Sequence, residues 1–276
     1  MTILLLHPGE MGAAVAGCLV RNGTRMTYVS EGRSEASRDR ASAEGIEAIP
    51  TLAEALRQAD AVLSICVPSG AREVAQSVAR QNFQGIYIDA NAIAPESSRE
   101  IGRIVESAGA SFVDAGIVGL PPTPKRITRL YLCGPQACSI SALFQGTQVE
   151  APVIEAPVGA ASALKVCYAA WSKGETALLA GIRALAHHEG VDETLLREWR
   201  DSMPDVPSQS EHIVQRAWKA WRWVGEMEEI AASFEAAGLP SGFLANAEIY
   251  RRLADLKDNK KPSREDINRR LLRQSQ

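Results

Sequence analysis

Thr2-Ile-Leu-Leu-Leu-His-Pro-Gly-Glu-Met-Gly-Ala-Ala-Val-Ala-Gly-Cys-Leu-Val-Arg-Asn-Gly23 is the stretch that decides the fold of this chain. The apolar run Thr2–Leu6 reads as a buried strand. It passes into a turn over His7–Gly12, and the turn opens a helix closed by Gly23. A helix that begins in this way presents unpaired backbone N–H groups and the positive end of its dipole, a cradle for a dinucleotide pyrophosphate. Gly9 permits close approach of phosphate and Gly12 permits close packing of helix on strand. Met11, Val15 and Leu19 recur at helical spacing and form the buried stripe. His7 stands where the G-x-G-x-x-G fingerprint has its first glycine; beside Pro8 it reads as a residue that tightens the turn rather than as a base. His7, Pro8, Gly9, Glu10, Met11 and Gly12 are thus the expected cofactor contacts. The competing reading is a bare strand–turn–helix of an unrelated α/β fold.

The rest of the composition narrows the class. The chain has 276 residues, 46% of them hydrophobic and 23% charged, with a net charge of −3. That balance gives no reason to expect nucleic acid or an acidic membrane as partner. No apolar run reaches the length of a membrane span. A core strand beginning at Thr2 leaves no room for a signal peptide, so none is expected. Cys18, Cys66, Cys133, Cys138 and Cys167 are odd in number and irregular in spacing. They fit neither a zinc site nor a disulfide framework, and a reduced, cytoplasmic protein without a metal is expected.

The first half of the chain alternates strand and helix. Strands are expected at Arg25–Ser30, Gly45–Ile49, Ala61–Val67, Ile86–Asp89, Ser111–Ile117, Arg129–Cys133 and Val149–Ile154. Helices are expected between them, with Thr51 capping Thr51–Ala59 and Pro95 opening Pro95–Gly109. This alternation implies an α/β fold with a doubly wound parallel sheet. From Ala160 onward only helical patterns occur: the long Ala-rich stretch Ala160–Glu189, then Asp192–Asp201, Ser208–Trp221, Val224–Ala237 and Ser241–Lys257. The expected organisation is a Rossmann domain over 1–158 and an all-α substrate and dimerisation domain over 159–276. The charged tail Lys257–Gln276 reads as a loose arm or a helix lying on a partner. Trp218, Trp221 and Trp223 read as core or dimer contacts.

Several segments together resemble the β-hydroxyacid dehydrogenase superfamily, which includes 3-hydroxyisobutyrate and 6-phosphogluconate dehydrogenases. Within it, the chain is most similar to the bacterial branch whose C-terminal domain is known only as phosphogluconate-dehydrogenase-like. Gly9–Gly23 carries the pattern G-x-M-G-x-x-x-A-x-x-L-x-x-x-G. Asp60-Ala-Val-Leu-Ser-Ile-Cys-Val-Pro68 resembles the strand beside the nicotinamide, which implies cofactor contacts from Cys66, Val67 and Pro68. Asp89-Ala-Asn-Ala-Ile-Ala-Pro95 matches the family's substrate motif, and Asp114-Ala-Gly-Ile-Val-Gly-Leu-Pro-Pro122 resembles its substrate loop. Gly159-Ala-Ala-Ser-Ala-Leu-Lys165 resembles the helix that carries the catalytic lysine, and Arg222–Ile230 the distinctive segment of the branch. The departures are informative. Val118 replaces a serine, Leu120 a glycine, Ala169 an asparagine, and Tyr168 the histidine of the phosphogluconate enzymes. Val118, Gly119, Leu120, Tyr168 and Ala169 would therefore line a pocket poor in polar groups, suited to a molecule less polar or bulkier than a sugar-acid phosphate.

The resemblance implies hydride transfer between a nicotinamide and a β-hydroxy acid or related carbonyl compound. Lys165 would be the general acid or base, because burial pulls an amine toward neutrality where it exchanges protons. From residue type alone a lysine snorkelling to the surface explains it equally well. Asn91, at a strand end, is expected to touch substrate or the nicotinamide ribose, and a turn-forming asparagine is the alternative. Asp89 and Asp114 read equally as structural groups that tie loops to backbone N–H. At the end of the second strand Arg33 and Ser34 suit a 2′-phosphate, whereas Glu31 suits the ribose diol of NAD. NADP is expected, with NAD the alternative. An imine reductase shares the architecture, but the retained lysine argues against it. A nucleotide-binding sensor or assembly protein without turnover is the reading from a different class. The apolar surface of Ala160–Glu189 implies a homodimer.

Overall fold

The computed structural model describes residues 1–272. The chain divides into two compact units, Met1–Val166 and Cys167–Gln276. The first runs β1 (Thr2–Leu6), α1 (Glu10–Arg21), β2 (Arg25–Val29), α2 (Glu35–Ala43), β3 (Glu47–Ile49), α3 (Leu52–Gln58), β4 (Ala61–Ser64), α4 (Ala71–Ala79), β5 (Ile86–Asp89), α5 (Pro95–Ser107), β6 (Ser111–Val118), β7 (Thr128–Cys133), α6 (Ala137–Leu143) and β8 (Val149–Glu150), and ends in the first turns of α7 (Ala160–His188). The strands form one sheet in the order β3-β2-β1-β4-β5-β6-β7-β8. The direction of winding reverses at β1 and β4. In doubly wound sheets, the crevice at that point outside the carboxyl ends of the strands is where ligands bind.

The apolar run of β1 is explained by burial on both faces. Ile3 and Leu5 join one core with Val15 and Leu19 of α1, and Leu4 and Leu6 join the other with Ala55, Val78 and Ile101. A strand covered by helices on both sides needs a continuous apolar sequence rather than an alternating one. Each fully buried leucine contributes about 1.5–3 kcal/mol.

Three sequence expectations are corrected here. The sheet is not wholly parallel, because β7 pairs antiparallel with β6, from Asp114↔Cys133 to Val118↔Arg129. A parallel return needs a crossover of about a dozen residues or more, and the link from Val118 to Thr128 carries no helix. The strand expected over Ala61–Val67 stops at Ser64, because a side chain takes the Cys66 N–H and Pro68 opens a 3₁₀ turn. The strand expected over Val149–Ile154 is reduced to Val149–Glu150 and an isolated bridge at Val153; Pro152 between them has no N–H to give a ladder.

Among the described residues the second unit is helical throughout. It holds the remainder of α7, then α8 (Asp192–Ser202), α9 (Val206–Ser210), α10 (His212–Arg216), α11 (Ala220–Ala236), α12 (Phe243–Arg252) and α13 (Arg264–Leu271). The single helix expected over Ser208–Trp221 is broken into α9, α10 and a 3₁₀ turn at Ala217–Lys219. The expected helix Ser241–Lys257 is α12 followed by a 3₁₀ turn at Ala254–Asp258. A buried polar knot anchors this region. The Arg183 guanidinium, 4% exposed, donates to Asp192 at 2.5 and 2.8 Å, to Ser210 Oγ at 2.9 Å and to Glu211 at 3.0 Å. The tail is no loose arm as far as Leu272. Ser263 and Asp266 form a capping box on α13, Ile267 and Leu271 are buried, and Arg252 Nη1 donates to Leu271 O at 2.8 Å. The last four residues of the expected arm, 273–276, lie outside the described residues.

Candidate active site at the carboxyl edge of the sheet

The turn after β1 has the shape that its glycines suggest. His7 has φ +75°, the left-handed conformation that glycine adopts without cost. It thus supplies the backbone state of the fingerprint's first glycine despite its side chain. Gly9 N–H donates to His7 O at 2.7 Å and closes the turn. A Cβ on Gly9 would meet nothing within 4 Å, so the space before α1 is open; a Cβ on Gly12 would stand 2.8 Å from His7 O. The first N–H groups of α1 have no partner within the helix, and Gly9 offers no side-chain cap. His7 Nδ1 is buried without a partner. Burial and the nearby Arg33 charge push this imidazole below its ordinary pKa. Open space, uncapped donors and a neutral ring fit a diphosphate at His7–Gly12, with the Pro8, Glu10 and Met11 backbone around it.

After β2, Glu31 and Ser34 are exposed and Arg33 is half-buried. Arg33 Nε donates to Glu31 O at 3.4 Å. Ser34 Oγ already accepts Ser37 N–H at 3.3 Å as the N-cap of α2.

Between β4 and β5 lies a buried polar brace. Asn91, 2% exposed, donates through Nδ2 to Ser64 Oγ at 3.1 Å and to Asp89 Oδ2 at 3.0 Å. Its Oδ1 accepts Cys66 N–H at 2.6 Å, and its own N–H donates to Asp89 Oδ1 at 3.0 Å. Both amide protons are spent inside the protein. Asn91 therefore holds the Cys66–Pro68 loop in place. Burial and the neighbouring Asp89 charge push the Cys66 thiol up to about 12, so it is no nucleophile at neutral pH. Val67 is exposed beside it.

Burial also pushes the Asp89 carboxyl up to about 7. Donors from Asn91 oppose that shift and the Asp114 charge adds to it. A carboxyl that holds its proton more tightly folded than unfolded adds stability below its unfolded pKa of about 4, and that share is lost as pH rises through 7. Asp89→Asn should flatten the change of urea midpoint between pH 4 and 7. A slope equal to that of the unmutated protein would contradict this.

The neighbouring strand positions the lysine. Asp114, fully buried, receives the N–H groups of Gly159, Ala161 and Ser162 on Oδ2 at 3.0, 3.0 and 3.1 Å. Its Oδ1 accepts Ser162 Oγ at 2.6 Å and Ser98 Oγ at 2.8 Å, and the Cys133 thiol donates to Oδ2 at 3.2 Å. A carboxylate from β6 thereby caps α7, where it meets the positive end of the helix dipole. Two residues on, a Cβ at Gly116 would fall 2.5 Å from Ala161 O and 3.2 Å from Lys165 Cβ. The first turns of α7 are therefore pressed onto β6, and Lys165, half-buried, rides on that contact. Since β5 and β6 pair at Asp89↔Asp114, the Asn91 brace and the lysine belong to one edge of the sheet.

Past β6, Val118 is half-buried, Gly119 has φ +115° and Leu120 is exposed. Thr128 Oγ1 donates to Leu120 O at 2.5 Å and ties the loop to β7. Tyr168 is half exposed and Ala169 buried; both belong to the second unit. Sequence reasoning missed Ser64 as a partner of Asn91 and Ser98 and Ser162 as partners of Asp114. A small hydroxyl at a strand end or in a first helical turn was the only signal.

Two protein-family models match the chain: the NAD binding domain of 6-phosphogluconate dehydrogenase over residues 4–137 and a domain of unknown function, DUF1932, over residues 186–253. A curated relative, an uncharacterized 28.5 kDa protein in the 7S RNA 5′ region of Methanothermus fervidus, is 28% identical over 167 residues. The match covers 60% of this chain and 63% of that protein, less than two thirds of its length. Among solved structures, a conserved hypothetical protein from Sinorhizobium meliloti 1021 shares the fold with a TM-score of 0.70 and 24% identity, over 98% of this chain and 96% of that one. The 3-hydroxyisobutyrate dehydrogenase of Mycobacterium tuberculosis, solved with L-serine, gives a TM-score of 0.74 at 18% identity, over 98% and 99% of the two chains.

Proposed function

We propose that the chain, which matches the NAD binding domain of 6-phosphogluconate dehydrogenase in its N-terminal half and DUF1932 behind it, is a member of the β-hydroxyacid dehydrogenase superfamily and an NADP(H)-dependent oxidoreductase that uses Lys165 as its proton donor and acceptor. The bound nicotinamide supplies the hydride chemistry. The protein holds the diphosphate at His7–Gly12, and the Asn91 brace fixes the Cys66–Pro68 loop on the neighbouring strand end. Lys165 Nζ gives a proton to a carbonyl oxygen in reduction and takes one from a hydroxyl in oxidation. Arg33 at the end of β2 favours the 2′-phosphate of NADP. The observation that carries this reading is that the open glycine turn and the lysine helix stand at the same carboxyl edge of one sheet, whose winding reverses at the turn.

The substrate we infer is a β-hydroxy acid or related carbonyl compound with an apolar body. Val118 and Leu120 offer no side-chain hydrogen bonds, and Gly119 keeps a backbone N–H for an acid group. Turnover of NADPH with a panel of β-keto acids, semialdehydes and cyclic imines tests the assignment. Reduction of the carbonyl compounds supports it. Reduction of imines alone would indicate an imine reductase, and nucleotide binding without turnover of any of them would indicate a sensor.

A homodimer through α7 is part of the proposal. Trp171, Leu178 and Leu185 stand at heptad spacing and are 72%, 58% and 60% exposed, a stripe that a second copy would cover. Leu178→Glu should convert a dimer to a monomer by light scattering. A monomeric unmutated protein, or a variant that stays dimeric, would refute this interface. No helix among the described residues is long and apolar enough to cross a membrane, and a cytoplasmic location is proposed.

A further inference from the structure

We propose that Arg40, on α2, is a second phosphate-binding guanidinium at the adenosine end of the cradle and acts with Arg33 to select a 2′-phosphorylated dinucleotide. The proposal rests on the cofactor reading above and adds to it a residue from a different element. Arg40 reaches from α2 to the glycine turn: its Nε donates to Pro8 O at 3.3 Å and its Nη2 to Ser37 Oγ at 3.1 Å. Ser37 in turn is held by Ser34, whose hydroxyl lies 3.1 Å from its own. The guanidinium therefore spans the gap between the turn after β1 and the start of α2. In doubly wound folds the adenosine ribose lies in that gap, beside the end of the second strand.

The charge pattern points the same way. Arg21, the last residue of α1, and Arg25, at the start of β2, stand at the opposite edge of the sheet and are paired with Glu44 at 2.6 Å and Glu47 at 2.8 Å. Arg33 and Arg40 have no carboxylate within ion-pair distance among the described residues, although Glu31 and Glu35 lie on the same stretch of chain. Two arginines without acidic partners flank the turn, one at the end of β2 and one on α2. The imidazole between turn and loop, His7, carries a buried nitrogen without a partner. A phosphate monoester is the ligand that such a pair of planar forks recognises, through charge-assisted and bidentate hydrogen bonds.

Calorimetry on the intact protein tests this with NADPH, NADH, 2′,5′-ADP and 5′-AMP as probes. Arg40→Ala should weaken NADPH and 2′,5′-ADP by about tenfold or more and leave NADH and 5′-AMP within about twofold. Arg40→Lys, which keeps the charge and loses the fork, should fall between. Arg38→Ala, which removes the same charge two residues away on α2, should leave all four affinities unchanged. The side chain of Arg40 is exposed, and an unchanged circular dichroism spectrum and melting temperature would exclude misfolding as the cause. NADPH affinity untouched by Arg40→Ala, an equal loss for NADH, or an equal loss in Arg38→Ala would overturn the proposal while leaving the cofactor reading intact. If the unmutated protein bound neither dinucleotide, the cofactor reading itself would fall.

Discussion

Lys165→Ala is expected to lower kcat by about a hundredfold to ten-thousandfold, the range for loss of a positioned proton donor, and to leave NADPH affinity within about twofold. Two features of the structure lead to that split. The glycine turn that would hold the cofactor phosphates is built from His7–Gly12 and α1, which do not depend on the lysine side chain. The lysine itself sits on the first turns of α7, pressed against Gly116 of β6 at the carboxyl edge of the sheet. A purely structural lysine would behave differently, because its loss would lower stability and cofactor affinity together. A more specific signature is chemical rescue. Small alkylamines should restore part of the activity of Lys165→Ala, with a pH dependence that follows the added amine. Full activity in the variant would remove Lys165 from the chemistry.

Asp114→Ala is expected to destabilise the first unit by about 3–5 kcal/mol, the cost of breaking a buried charged network. The carboxylate receives three backbone N–H groups, two hydroxyls and a thiol. The methyl group left behind would satisfy none of them, and the start of α7 would lose its cap. Urea denaturation should show a lower midpoint, and whatever folded protein remains should have reduced kcat, since Lys165 rides on the same helical turns. Asp114→Asn keeps one oxygen and should cost less. A loss below about 1 kcal/mol for Asp114→Ala would show that the helix start is held by packing rather than by this cap.

What the residues made legible follows from how local each cause is. The strand at Ile86–Asp89 and the start of α7 at Ala160 are read directly from apolar runs and their punctuation, and both stand where expected. The glycine turn is legible despite His7, because strand, turn and helix are contiguous. The antiparallel β7 is not, since its direction depends on a short link rather than on its own alternation. Nor is the break of α9 from α10 at Glu211, where no proline or glycine interrupts the sequence. The site divides in the same way. Lys165 and Asn91 stand out as residue types in an unusual setting, but the side-chain bonds of Asn91 depend on Ser64 at the end of β4 and on the Cys66 N–H just beyond it. Asp114 capping a helix 45 residues later in the chain and Arg40 reaching back to Pro8 are contacts that only the fold creates.

A titration of NADPH into the unmutated protein, followed by calorimetry, bears most directly on the open turn after β1 as a dinucleotide cradle. The structure leads to saturable binding at one site per chain, tighter than that of NADH, and weakened when Gly9→Val fills the space before α1. Absence of heat and of saturation with both dinucleotides at millimolar concentration, from a protein shown to be folded, would contradict it.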